Sequence, residues 1–298
     1  MRIAFQTGFR DAIADLQRTS EQMATAQRQV STGRRHDVPS DDPSATTGAI
    51  GERASMGTID RYVRSADSAT SRLSIVDTVL SEIVSKLSAA QTAAASAIGD
   101  TASPEQRTAA ADELASIRDQ LVEDLNTKVG GVFVFAGTAS TTKPFTQNPN
   151  GTVNAYQGNA STVNVDIDRA KSVQATFDGQ ALAQGSDSND IFTAIESLRT
   201  AILANDTPNI ENGLAAMKRG FDRATGMQSQ VGSGEKALEE QRTRLTTQRL
   251  GVKARLSKFE DADMSEAISA MNRAEIGYRA ALGAAATIRR VSLLDYLK

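Results

Sequence analysis

Apolar residues recur three and four positions apart over long stretches at both ends of this 298-residue chain. Such heptad spacing is typical of long helices that pack side by side. The most regular stripe predicts a helix of about 40 residues, which at 1.5 Å per residue would be about 60 Å long. A compact globule of this chain length would be only about 50 Å across. The pattern therefore predicts an elongated rod. The stripe comprises Ile59, Tyr62, Ala66, Ala69, Leu73, Val76, Leu80, Ile83, Leu87, Ala90, Ala94 and Ala97.

The two terminal stripes are sparser than this central one. In the first helix, predicted over 1–32, large apolar residues alternate with Ser20 and Gln27; they are Ile13, Leu16, Met23 and Val30. The last helix is predicted to begin after the cap Asp263, with a stripe of Met264, Ile268, Met271, Tyr278, Leu282 and Ala285. Neither helix can bury its stripe alone, so the two are expected to pack on each other.

The hydrophobic period changes in the middle of the chain. Three stretches have the composition and alternation of strands, namely "GGVFVFAG" at 130–137, "TVNAYQG" at 152–158 and "STVNVDID" at 161–168. Helical spacing returns from about residue 189. The predicted fold class is mainly α, with long antiparallel heptad helices from both termini and a small β-rich insert at 131–188.

The stretch "QVSTGRRHDVPSDDPSA" interrupts the first helical pattern. Gly33 suits a helix end, and Arg34 and Arg35 complement the negative end of the helix dipole. Pro39 and Pro43 stiffen the exit, and Asp42 is predicted to cap the next helix. We interpret residues 33–56 as a joint between two helical layers.

Composition and charge exclude several classes of protein. The chain is 40% hydrophobic but only 4% aromatic, which suits thin helical layers better than the core of a compact enzyme. It has no cysteine, so disulfides and thiolate sites are absent. A net charge of −3 argues against a nucleic-acid binder. No apolar run approaches a membrane span, and the first residues lack the features of a cleaved signal peptide.

Candidate chemistry is sparse, and we predict no cofactor and no metal site. His36 is the only histidine, and we interpret it as a solvated loop residue. Asp41 and Asp42 could form half of a metal site, but a helix cap explains Asp42 better. An enzyme or toxin that uses the acidic pair Asp166 and Asp168 in the insert remains a third hypothesis.

Four stretches together resemble the bacterial flagellin superfamily, and within it the branch at the junction of hook and filament. They are "QVSTGRRHDVPSDDPSA", "GGVFVFAGTASTTKPF", "YQG" at 156–158 and the ending "AALGAAATIRRVSLLDYLK". The resemblance spans nearly the whole chain. "PSDDP" and the "VFAG…PF" stretch favour the junction branch; the bulk filament subunit is the alternative.

The resemblance implies a layered assembly. Residues 1–32 and 264–298 would form a coiled-coil inner layer, 57–130 and 189–263 a helical rod domain, and 131–188 an outer insert. The expected assembly interface comprises Ile13, Leu16, Met23, Val30, Arg34, Arg35, Asp41, Asp42, Ile268, Met271, Tyr278, Leu282, Leu293 and Leu294. The terminal helices would fold as copies assemble. Expected partners are further copies, a neighbouring hook-associated protein, flagellin and a cytoplasmic export chaperone. The expected location is the extracellular flagellum, reached by export without a cleaved signal peptide.

Overall fold

The computed structural model describes residues 2–36, 38–99, 102–149 and 151–296, with side chains described between 10 and 287 in those ranges. The chain divides into two compact units. Unit 1 comprises Met1–Ile59 and Thr247–Lys298, and unit 2 comprises Asp60–Thr246. Unit 1 therefore combines the two ends of the sequence, whereas unit 2 is its continuous central part.

Seven helices account for most of the described residues. They are α1 (Arg2–Thr32), α2 (Pro43–Ser96), α3 (Pro104–Leu125), α4 (Gly179–Ala183), α5 (Ile191–Ala204), α6 (Thr207–Glu260) and α7 (Met264–Tyr296). The prediction of a mainly helical chain with long helices from both termini is confirmed. The helix α2 begins at Pro43, well before the first residue of the predicted stripe. The loop between α1 and α2 is therefore only 33–42, although the predicted joint extended to residue 56.

Unit 2 has a large apolar core. The stripe that predicted α2 is buried in it almost completely, from Ala66 to Ala97, with Tyr62 half-buried. The opposing stripe on α6 includes Ile210, Met217, Ala224, Val231, Leu238 and Leu245, each at most 1% exposed. The helix α3 starts with the predicted capping box, in which Ser103 and Gln106 each accept a backbone N–H from the other. Strict heptad patterns therefore located these helices correctly.

The insert contains two antiparallel hairpins of two strands each. The first pairs β1 (Lys128–Val129) with β2 (Val132–Phe133), and the second pairs β3 (Asn164–Asp168) with β4 (Lys171–Gln174). The prediction of one strand over 130–137 is wrong because Gly130 and Gly131 both have positive φ, +62° and +83°. Two successive positive φ values build the tight turn that separates β1 from β2.

The prediction of a strand over 152–158 is also wrong. In that segment Val153 forms only an isolated bridge with Gln147. The Asn154 and Gln157 amides donate to the carbonyls of Thr146 and Pro144, so the backbone is satisfied without a regular ladder. Strand composition alone did not determine the pairing of this segment.

Aromatic residues from the insert and α5 form one cluster within the core of unit 2. The ring of Phe145 lies 5.3 Å from that of Tyr156 and 5.2 Å from that of Phe192, in tilted and edge-on arrangements. The Tyr156 hydroxyl donates to the Phe135 carbonyl at 2.9 Å. Burial raises the pKa of Tyr156 to about 12. The "VFAG", "PF" and "YQG" motifs thus meet in one place and anchor the insert to the helices.

Candidate functional site: the terminal helix pair and its joint

The helices α1 and α7 pack against each other in unit 1, as predicted for the two ends of the chain. On α1 a heptad of Ala12, Leu16, Thr19, Met23, Ala26 and Val30 is buried or half-buried, and Ala24 and Gln29 beside it are half-buried as well. On α7 they are mostly small residues: Ala267, Ala270, Ala274, Gly277 and Ala281. A Cβ built on Gly277 would lie 4.0 Å from the Thr19 methyl group, which places these two positions opposite each other. We call this contact the α1–α7 interface.

On α1, every second residue of the predicted stripe lies outside the α1–α7 interface. Leu16, Met23 and Val30 belong to it, and all three are half-buried. Ile13 is 40% exposed, and the polar Ser20 and Gln27 are exposed as well. Their places are taken by the neighbouring residues Ala12, Thr19 and Ala26. The structure favours these smaller side chains because α7 presents Ala and Gly, which allow the helices to approach closely.

The large apolar residues of α7 lie mostly outside the α1–α7 interface. Met264, Ile268 and Leu282 are 41%, 44% and 43% exposed, and we call these three residues the exposed row. Successive residues of an α-helix are about 100° apart, so all three project from the same side of α7. Met271 and Tyr278 are half-buried beside them. The side chains of Leu293 and Leu294 lie outside the described residues.

Little of the α1–α7 interface is fully buried. Among the side chains described in α1 and α7, only Ala26 and Ala267 are nearly inaccessible, at 5% and 4% exposed. Hydrophobic stabilisation is roughly proportional to buried apolar area, at about 25 cal/mol per Å². Two alanines and several half-buried side chains therefore stabilise this pair weakly, whereas the exposed row keeps apolar area available for another molecule.

The loop 33–42, which we call the joint loop, is held by backbone hydrogen bonds to the connection between α6 and α7. The Arg35 N–H donates to the Glu260 carbonyl at 2.8 Å, and the Ala262 N–H donates to the Gly33 carbonyl at 2.9 Å. These two bonds form an isolated antiparallel bridge between Arg34 and Asp261. We call this arrangement the backbone clasp. Because it uses main-chain groups, it fixes the position of the joint loop without contribution from the side chains of Arg34 and Arg35.

The two ends of the joint loop have the predicted local chemistry. Gly33 has a φ of +67°, the left-handed conformation that glycine adopts without strain at a helix end. At the other end, the Asp42 Oδ1 accepts the Ala45 N–H at 2.9 Å and the Ser44 hydroxyl at 2.8 Å. The Ala45 amide is the main cause of the lowered pKa of Asp42. Asp42 is thus a helix cap, followed by Pro43 as the first residue of α2, and Pro39 lies exposed within the loop.

Ion pairs join the first turns of α2 to the last turns of α6. Arg255 binds Glu52 through two nitrogens, at 2.7 and 3.0 Å, and its hydrogen bonds lower the pKa of that carboxyl group. Arg53 lies 2.7 Å from Glu260, the residue whose carbonyl belongs to the backbone clasp. These contacts lie partly in solvent, which screens the attraction between the charges, so such pairs stabilise the fold only weakly. Their main effect is to align the two helices at the joint.

Close packing of α2 and α6 depends on a glycine. A Cβ at Gly48 would lie 2.7 Å from the Phe259 ring, so no larger residue fits there without displacement of the ring. The sequence reading missed this contact, although Phe259 occupies a heptad position and Gly48 interrupts a helical pattern. Those two features together are the available signal. The backbone clasp has no side-chain signature and could not be read from the sequence.

The charged residues of the predicted assembly interface divide into two groups. Arg34, Arg35 and Asp41 are exposed, whereas the Asp42 carboxylate is engaged within the chain. His36 differs from the predicted solvated residue. Its side chain is only 26% exposed, and its Nε2 is shielded from solvent 3.8 Å from the Asp42 Oδ2. The loop packs this imidazole against the start of α2.

The two acidic residues of the second hairpin have different surroundings. Asp168 accepts a hydrogen bond from the amide of Gln241 on α6 at 3.1 Å, which ties the second hairpin to the helix. Asp166 is exposed on the strand. Within the described residues no cluster of three histidine, cysteine or acidic side chains suits a metal ion. Among the same residues, no helix has the length and apolar character to cross a membrane.

Comparisons with known proteins cover most of the chain. The model of the bacterial flagellin N-terminal helical region matches residues 10–140, and that of the C-terminal helical region matches 215–297. The flagellar hook-associated protein 3 of Salmonella typhimurium is 26% identical over 90% of this chain and 91% of its own length. The protein of the same name from Escherichia coli is 23% identical over the full length of both chains.

A solved structure supports the fold. The putative flagellar hook-associated protein of Vibrio parahaemolyticus superposes with a TM-score of 0.70 at 18% identity. The match covers 74% of this chain and 100% of that structure. At this level of identity the likeness concerns the fold alone.

We expect Gly33→Val to open the backbone clasp and Asp42→Ala to leave it largely intact. A β-branched residue forced to positive φ costs about 2 kcal/mol, whereas loss of a helix cap costs about 1 kcal/mol. Hydrogen exchange of the Ala262 amide, whose N–H donates to the Gly33 carbonyl, measures the difference. Exchange should accelerate more in Gly33→Val than in Asp42→Ala. Gly51→Ala, where an added Cβ meets no atom within 4 Å, is the control. Equal acceleration in both variants would contradict this ordering.

Proposed function

The chain belongs to the bacterial flagellin family, and from that premise we propose that it is the junction subunit between the hook-associated ring and the flagellin filament. Two family models together match both helical ends of the chain. The observation that favours the junction role is that relatives named flagellar hook-associated protein 3 align with 90% and 100% of this chain. The family is a structural one of the flagellum, so the proposed role is architectural.

We propose that assembly is coupled to folding of the terminal helices. A two-helix pair with a narrow interface of small residues is marginal by itself, because helices gain most of their stability from packing of an apolar face. In an assembly, further copies would cover the exposed row and the half-buried side chains beside it. Each copy that joins would then stabilise the helices of its neighbours, as binding to the folded state always does.

We propose that the joint loop sets the angle between α1 and the start of α2. The backbone clasp, the Asp42 cap and the two ion pairs hold the loop within its own chain. This leaves the exposed Arg34, Arg35 and Asp41 available for charged groups of adjacent copies. We therefore propose that these three charged residues belong to an assembly interface. Ile13, Ile268 and Leu282, which the α1–α7 interface leaves exposed, belong to it as well.

Partners and location follow from the junction role as proposals. The chain would contact further copies of itself, a neighbouring hook-associated protein on one side and flagellin on the other. It would leave the cell through the flagellar export route without loss of a signal peptide, after a cytoplasmic chaperone has held its C-terminal part. Weakly stable terminal helices suit such a route, because an unfolded end passes a narrow channel more easily than a packed one.

The bulk filament subunit is the second candidate function, since flagellins share the same terminal helices. Abundance and position separate the two roles, because a filament contains vastly more copies than a junction. Enzymatic activity has the least support. Of the two acidic residues considered for it, Asp168 holds the second hairpin on α6.

We predict that a label on the insert marks a single short zone at the base of each filament. A small epitope replacing exposed residues of the insert would be detected by immunogold microscopy on purified flagella. A band between hook and filament supports the junction role. Label along the whole shaft would support the filament subunit instead, and absence from flagella would contradict both.

We predict that Leu282→Asp prevents assembly and leaves unit 2 intact. Leu282 is 43% exposed in the single chain, so a carboxylate there remains largely solvated. In an assembly that covers the exposed row, the carboxylate would be desolvated at a cost of several kcal/mol per copy. The variant should keep the melting transition of unit 2 and leave cells that release unpolymerised flagellin into the medium.

Ala280→Asp is the matched control for this experiment. Ala280 is exposed, and two residues along a helix place it about 160° around α7 from Leu282. It should assemble better than Leu282→Asp if the exposed row is the contact. Destabilisation of unit 2 by Leu282→Asp of more than about 2 kcal/mol would contradict the prediction, because Leu282 belongs to unit 1. Normal filaments on Leu282→Asp cells would refute the proposed contact.

A further inference from the structure

The only histidine of the chain lies in the joint loop, where its environment is unusual for a surface residue. The His36 Nε2 is shielded from solvent and has no hydrogen-bond partner among the described residues. A polar atom in that position loses its contacts with water and gains nothing in exchange. The backbone clasp lies immediately before it, at Gly33 and Arg35.

The group that His36 faces is a carboxylate with a free oxygen. Asp42 uses its Oδ1 to cap α2, and its Oδ2 lies 3.8 Å from the His36 Nε2. That separation is too long for a hydrogen bond but short enough for strong attraction between opposite charges. The capping bonds lower the pKa of Asp42, led by the Ala45 amide, so this carboxylate remains charged in mildly acidic solution.

The other charged groups around His36 are largely balanced. A cavity of about 130 Å³ beside the imidazole is lined by Arg34 from the joint loop, Arg53 from α2 and Glu260 from α6, together with apolar residues that include Phe259. Arg53 and Glu260 pair with each other at 2.7 Å. Arg34 is exposed to solvent, which screens its charge. Among the described residues, the Asp42 Oδ2 is the negative group that the structure pairs with His36.

We propose that His36 and Asp42 form a proton-operated latch that tightens the joint loop against α2 in mild acid. Protonation turns the shielded Nε2 into a charged N–H donor directed at Asp42. A movement of about 1 Å brings the two atoms within hydrogen-bond distance and draws the joint loop onto the helix cap. When the proton leaves, the attraction disappears and the loop relaxes to the clasp alone.

The sign of the pH dependence follows from this contact. The protonated imidazole interacts favourably with Asp42 only in the folded loop, so the added stability is present in mild acid and is lost as the imidazole deprotonates. Histidine is the side chain whose charge ordinarily changes between about pH 5 and 8. The latch thus makes the stiffness of the joint depend on pH.

Hydrogen exchange on the full chain tests the latch without any assembly. The protection factors of the Arg35 and Ala262 amides, each taken relative to the unstructured rate at the same pH, report closure of the loop. In the wild type we expect both to rise about three- to fivefold between pH 8.0 and pH 5.5, the size of effect typical of a partly exposed ion pair.

Three variants separate the latch from general effects of pH. Asp42→Asn keeps a capping oxygen but removes the charge, and His36→Gln keeps polarity but cannot titrate. Both should lose the rise. Asp41→Asn removes an exposed neighbouring charge and should keep it. The proposal is overturned if the wild type shows no rise, or if all four proteins rise equally. Because the measurement uses single chains, its outcome is independent of the proposed junction role.

Discussion

The narrow contact between the two terminal helices is the constraint on which the behaviour of unit 1 depends. Alanine and glycine on α7 bring α1 close, but they bury little apolar area, and the larger Ile268 and Leu282 remain exposed. The core of unit 2 is different. There Leu73, Leu80 and Leu87 of α2 are at most 1% exposed, and the stripe of α6 is buried to the same degree. Unit 2 thus buries its apolar stripes within the chain, whereas the terminal helices leave large apolar side chains exposed.

The joint combines contacts that differ in how they respond to their surroundings. Backbone hydrogen bonds between 33–35 and 260–262 are insensitive to charge, and Gly48 allows Phe259 to pack against α2. The ion pairs and the Asp42 cap add electrostatic contributions that depend on pH and salt. The backbone hydrogen bonds therefore position the joint loop independently of side-chain charge. Modest changes in charge adjust how firmly it is held.

Sequence reasoning succeeded where several signals agreed and failed where backbone geometry decided. The unbroken stripe of α2 and the caps at Asp42, Ser103 and Asp263 each rest on local chemistry, and the structure confirms all of them. On α1 the reading favoured the large Ile13, whereas close approach to α7 selects Ala12 and Ala26. The segment 152–158 has strand-like residues but no partner strand. The backbone clasp leaves no trace in residue type, because it uses main-chain groups alone.

The central claim is that assembly supplies the stability that the terminal helices lack. Hydrogen exchange of the purified chain, before and after its incorporation into flagella, measures this directly. The account predicts that amides of α1 and α7 exchange at nearly unprotected rates in the single chain, whereas those of unit 2 are protected, and that incorporation slows α1 and α7 by at least about 100-fold. Terminal helices as well protected in the single chain as in the flagellum would contradict it.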